Sequence, residues 1–119
     1  MMIDRILLGT GSGVLLLSTA CASAPPPAAQ LTQSKSALSA AEAVGASGIP
    51  RAALHLKMSK DQIETAEALI ADGEMSQAEL VLKRAEADAE LALFLARDDS
   101  TRAQAVAAKK KLEKLRNEQ

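Results

Sequence analysis

The feature that most constrains this chain is the alanine-rich run from Met75 to Glu118, which reads as one long helix with the rest of the protein folded against it or tethered beside it. Ser76 followed three residues later by Glu79 predicts a capping box at its start, with Met75 and Leu80 at the staple positions around it. Gly73, just upstream, is the residue type that ends a preceding helix by taking positive φ. At 100° per residue, Ala78, Leu82, Ala85, Ala89, Ala92 and Ala96 fall on one narrow face, with the alternating four- and three-residue steps of a coiled-coil seam. Leu80, Ala87, Leu91 and Phe94 fall almost opposite, and charges fill the flanks: Glu79, Lys83, Glu86, Glu90 and Arg97 on one side, Arg84 and Asp88 on the other. A helix with two opposed apolar seams has to be sandwiched, so it needs two partners.

The segments before it supply candidates for those partners. Residues 31–44 are a short Ala/Ser-rich helix candidate with Leu31, Leu38 and Ala41 on one side, marginal in isolation. Gly45 to Ile49 form a break, and Pro50 suits the first turn of a following helix. Residues 51–72 read as that helix, with Ala52, Leu56, Ser59, Ile63, Ala66 and Ile70 repeating in steps that match the alanine seam. The Asp72-Gly73-Glu74 turn makes these two helices an antiparallel hairpin, and the fold class follows: all-α, a helical hairpin or coiled coil with a short additional N-terminal helix, three helices in all. A second helix of about 33 Å covers the long one only to about Arg97, counting from the turn at 1.5 Å per residue. Beyond it lies an overhang, Thr101 to Gln119, whose Ala105, Ala108, Leu112 and Leu115 continue the second seam. The short first helix is expected to cover only part of that seam, which leaves the rest for another protein, for a second copy in a homo-oligomer, or frayed.

Composition narrows the functions available. The chain of 119 residues has one Phe, no Trp and no Tyr, so burial rests on Leu, Ile, Met and alanine and stability should be modest unless a partner adds area. A net charge of −1 with finely mixed signs, and no aromatic stacking platform, argue against a nucleic-acid surface. Lys109, Lys110 and Lys111, the one basic cluster, spread over most of a helical turn and read as a solvated face, with contact to anionic lipid or polymer as the alternative.

The N-terminus carries the clearest address. Ile6 to Leu17 is an apolar run interrupted by Gly9 to Gly13, preceded by Arg5 and followed by small residues, too short to span a bilayer and the size of a signal-peptide core; Asp4 offsets Arg5. Cys21, the only cysteine, ends the segment Leu17-Ser18-Thr19-Ala20-Cys21, which resembles the bacterial lipobox, with Ser18 where leucine is usual and Leu17 one position further back. A lone cysteine has no disulfide partner, whereas a thioether to diacylglycerol plus an N-acyl chain, such as palmitate, is the two-chain anchor that stable membrane attachment requires. The expected organisation is therefore a lipoprotein signal peptide over 1–20, cleaved between Ala20 and Cys21, a lipid-anchored Pro/Ala tether over 21–30, and a helical domain over 31–119. A plain secretory signal cut after Ala22 and an uncleaved anchor are the competing readings. Ala22 after the cysteine resembles outer-membrane rather than inner-membrane lipoproteins of Gram-negative bacteria, which implies the periplasmic face of the outer membrane.

From Leu38 to Arg97 the pattern resembles a family of small, alanine-rich bacterial envelope lipoproteins known only as a domain of unknown function. The residues that carry this resemblance are Ala40 to Ala46, Pro50, Gly73, Ala78, Leu82 to Ala89, Leu91 and Ala92. It implies a helical periplasmic module without an established activity, in a family whose members often occur beside OmpA-like, peptidoglycan-binding proteins. A weaker resemblance links residues 66–92 to one tetratricopeptide unit, but the aromatic positions are absent and no repeat follows.

Nothing in the sequence specifies a reaction. His55, the only histidine, has no second ligand type nearby and is expected at an ordinary surface position rather than in a metal site. Glu86, Asp88 and Glu90 read as solvated flanks rather than an acid/base pair. Apart from the lipid on Cys21, no cofactor is expected, and the chain reads as a non-enzyme. The expected interaction seam is Leu80, Leu91, Phe94, Leu112 and Leu115, serving a binding or scaffolding lipoprotein whose partner is an envelope protein or itself. Two other readings are a mechanical spacer between outer membrane and cell wall and a soluble periplasmic chaperone-like hairpin. Covalent wall attachment is disfavoured because the sequence ends in Arg116-Asn117-Glu118-Gln119, without a terminal lysine.

Overall fold

A computed structural model describes residues 25–119, and among these the chain is all-helical: α1 over Ala28–Ala43, a single 3-10 turn over Ala46–Gly48, α2 over Pro50–Ala71 and α3 over Met75–Asn117. The proposed signal peptide, the cleavage point between Ala20 and Cys21, and Cys21 itself lie outside the described residues.

Each boundary has a local cause. α1 begins three residues earlier than the composition suggests, because Pro27 is the last residue of the Pro25-Pro26-Pro27 run and everything after it has an amide to donate; Leu31 N–H already bonds the Pro27 carbonyl at 2.9 Å. Ala28, Ala29 and Gln30 are thus the first turn of a helix, not part of an extended tether. α1 stops where Gly45 takes φ +80, and the chain re-enters a helix at Pro50 after Ile49, whose extended conformation is the one a following proline favours.

The α2–α3 turn is a Schellman closure. Gly73, at φ +83, donates to the Ile70 carbonyl at 3.1 Å, and Glu74 donates to Leu69 at 2.8 Å, which satisfies the last carbonyls of α2 within three residues. This compactness corrects the expected capping box. Helical geometry resumes at Met75 with Glu74 in the cap position, so Ser76 already lies inside the helix and no side chain caps the N-terminus. The Glu74 carboxylate accepts instead from Gln77 Nε2 at 3.1 Å.

The three helices share one core. The α3 seam of Ala78, Leu82, Ala85, Ala89, Ala92 and Ala96 is buried throughout, as are Ala52, Leu56, Ser59, Ile63 and Ala66 of α2. Nine of the twelve buried apolar residues are alanine, which is why the helices approach closely enough for the Ser34 hydroxyl of α1 to reach the Leu82 main-chain carbonyl of α3 at 2.9 Å. The core has two lobes. One, around Ile63, Ala66, Ala78, Leu82 and Ala85, lies toward the Gly73 turn, and the other, around Ala41, Ala46, Ala52, Leu56, Ala92 and Ala96, lies at the open end. Leu38 packs against both.

α1 runs antiparallel to α2, with Lys35 paired to Glu67 and Glu42 to Lys60, each at 2.6 Å, and therefore runs in the same direction as α3. The expectation that α1 would cover part of the second seam does not hold: it docks beside α2 on the first. The chain's one way of sandwiching α3 is thereby used up on a single side.

Candidate interaction surface

On the far side of α3, Leu80 is 60%, Leu91 40%, Phe94 66%, Leu112 69% and Leu115 50% exposed. Ala87, Ala105 and Ala108, which lie between them on the same face, are exposed as well. All five residues of the expected seam are thus on the side of α3 away from the core, and none is covered by another helix among the described residues. The α2 helix begins beside Asp98, where Ile49, Pro50, Arg51, Leu95, Asp99 and Arg102 line an open notch, and from Asp99 onward every residue is exposed. Beyond this notch the overhang is a fully exposed helix, supported by local pairs such as Arg102 with Asp98 at 2.9 Å and by Lys114 and Arg116 near its C-terminal carbonyls.

An apolar face that runs from Leu80 to Leu115 is about 52 Å long at 1.5 Å per residue. It differs from scattered surface hydrophobics in keeping heptad spacing, broken at Arg84, Asp98 and Thr101, the spacing that a second helix fits by knobs-into-holes packing. Its flanks are charged, with Lys83, Glu90, Arg97 and Lys111 on one side, so the surface combines an apolar stripe with readable charge.

Two polar features depart from the sequence-based expectation. His55 and Asp88 are not simply solvated: His55 Nδ1 lies 2.8 Å from Asp88 Oδ1, and Gln62 Nε2 donates to Asp88 Oδ2 at 2.8 Å, all three half-buried between α2 and α3. The reason is register. Residue 88 flanks the buried seam on the α2 side, one turn from Ala85 and Ala92, so its short side chain reaches across to α2 rather than into water. Glu86, on the opposite flank, faces α1 and accepts from Gln30, while Glu90 is exposed as expected. The second feature is Ser34, fully buried where the sequence shows only a polar residue between Leu31 and Leu38; its hydroxyl has carbonyl acceptors in both Gln30 and Leu82.

His55, Asp88 and Gln62 face one another across the α2–α3 interface, and no cluster of three potential metal ligands occurs among the described residues. Nor is any helix among the described residues long and apolar enough to cross a membrane. Comparison with protein-family models, with curated proteins and with solved structures finds no match.

Proposed function

We propose that this protein is a lipoprotein held at the periplasmic face of the outer membrane through Cys21, and that it works as a non-catalytic helical binding or scaffolding module. The observation that carries this reading is the apolar stripe of α3 from Leu80 to Leu115, interrupted at Arg84, Asp98 and Thr101, which α1 and α2 leave open. A helix that extends beyond its bundle for the whole of residues 101–117 while keeping the same heptad face is built for contact, since an unpartnered overhang gains nothing from Leu112 and Leu115.

The placement of the N-terminus supports the same reading. α1 starts toward the Gly73 turn, so a lipid on Cys21 tethers that end of the bundle and leaves the overhang at the other. The Pro25-Pro26-Pro27 segment sits between anchor and bundle as a stiff spacer. An OmpA-like or other envelope protein, or a second copy of the chain, is the class of partner proposed.

Replacing Leu112 and Leu115 with Asp tests the seam. Both are exposed and outside the bundle, so the variant keeps its helical content and melting behaviour as a monomer while losing partner capture or oligomerisation. Unchanged partner capture and oligomer size would mean that the overhang is not an interface.

A further inference from the structure

The flanking charges identify which partner fits. On the exposed face, Arg84, Leu91, Asp98, Ala105 and Leu112 occupy one core position of the heptad and Leu80, Ala87, Phe94, Thr101, Ala108 and Leu115 the other. The residues preceding the first set, Lys83, Glu90, Arg97, Gln104, Lys111 and Glu118, edge the face along one side. In an antiparallel pair of helices these edge residues meet their counterparts on the other copy.

We propose that the occupant of this face is a second copy of the same chain, packed antiparallel in one register. The proposal rests on the preceding reading of the face as an interface. In this register Ala87 faces Leu112 of the second copy, Leu91 faces Ala108, Phe94 faces Ala105 and Asp98 faces Thr101, so Leu91, Phe94 and Leu112 each meet an alanine, while Leu80 lies opposite Gln119 at the end of the overlap. Leu115 lies over the aliphatic stem of Arg84. The edge charges then pair Lys83 with Glu118 and Glu90 with Lys111, twice each by symmetry, and set Arg97 beside Gln104.

The alternatives are disfavoured by the same residues. Sliding one heptad in one direction sets Glu90 against Glu118 and Arg97 against Lys111; sliding in the other sets Lys83 against Lys111 and Arg97 against Arg97. A parallel pair places Asp98 against Asp98 in the core, with Arg97 beside Arg102 and Lys111 beside Arg116. The lengths also agree. Each overhang, residues 101–115, lies on the other copy's bundle over residues 84–98, so the stretch each chain leaves uncovered is the stretch the other's overhang supplies.

One consequence concerns the membrane. Antiparallel pairing sets the two N-terminal ends at opposite ends of the rod. With Cys21 only six residues before Pro27, a reach of at most about 21 Å, both lipids enter one leaflet when the rod lies along the membrane surface.

The test uses the full chain in intact envelopes, with two differently tagged copies carrying Leu91→Cys and Ala108→Cys respectively; the unsubstituted chain reports any background from Cys21. Mild oxidation is expected to give a disulfide between the two variants and none within either variant alone. Glu90→Lys should lower the yield of that cross-link roughly ten-fold, and the double variant Glu90→Lys/Lys111→Glu should restore it. A disulfide formed by the Leu91→Cys variant with itself would overturn the antiparallel arrangement in favour of a parallel one. Absence of any cross-link would overturn self-pairing. If Leu112→Asp/Leu115→Asp still abolishes capture of a different envelope protein, the reading of the face as an interface survives that failure; if it changes nothing, both fall.

Discussion

Two small residues bear on stability in opposite directions. Ser59 lies fully buried in α2 between the two lobes of the core, and its hydroxyl has no hydrogen-bond partner. Burying a hydroxyl without compensation is unfavourable and alanine is the better helix former, so Ser59→Ala is expected to raise stability by about 1 kcal/mol, read as a higher urea midpoint with an unchanged slope. Gly73 is the reverse case. A Cβ there meets nothing within 4 Å, so the penalty of Gly73→Ala is one of backbone conformation alone, set by φ +83. It should cost about 1 kcal/mol, and Gly73→Asn less, because asparagine tolerates the left-handed region. Gly73 was legible in the sequence because a glycine between two periodic segments has one common use. Ser34 and Asp88 were not, since their burial depends on how closely α1 and α2 approach α3, which an alanine seam sets and a one-dimensional pattern does not reveal.

Among the helices, the first α3 seam was readable from spacing alone and is buried as that spacing requires. The opposing seam was equally visible, but its fate depended on where α1 docks. Two helices cover the first face and none the second, because α1 is joined to α2 through only the short 44–49 connection and returns beside it. The misplaced capping box has a similar origin: Ser76 and Glu79 have the right spacing, yet the Schellman closure at Gly73 delivers the chain into helix before Ser76 is reached. Close packing on small residues predicts intolerance of bulk. Ala89→Leu, between the two lobes, should destabilise the bundle by roughly 1–3 kcal/mol through displaced helices, whereas Ala105→Leu in the exposed overhang should leave bundle melting unchanged. Circular dichroism melts of the two variants check the contrast. Asp88→Ala, which strips the acceptor from His55 and Gln62 at the α2–α3 contact, is expected to cost about 1–2 kcal/mol in the same assay.

At the scale of the molecule, a bundle that runs from the Gly73 turn to about Ala96 is joined to a free helix that doubles its reach, and the proposed anchor stands at the opposite end from that free helix. A bundle cored by alanine buries little area per residue, so the proposed association along α3 would add stability to the monomer. The proposed anchor and the proposed self-pairing would reinforce one another, because confinement to a membrane surface raises the effective concentration at which the seams meet. Every step of this account at the cell envelope depends on the modification of Cys21. The most direct measurement is therefore the intact mass of the mature protein extracted from envelopes. The expected mass is that of residues 21–119 with a diacylglycerol and an N-acyl chain on Cys21. An unlipidated product beginning after Ala22, or the full precursor, would contradict it.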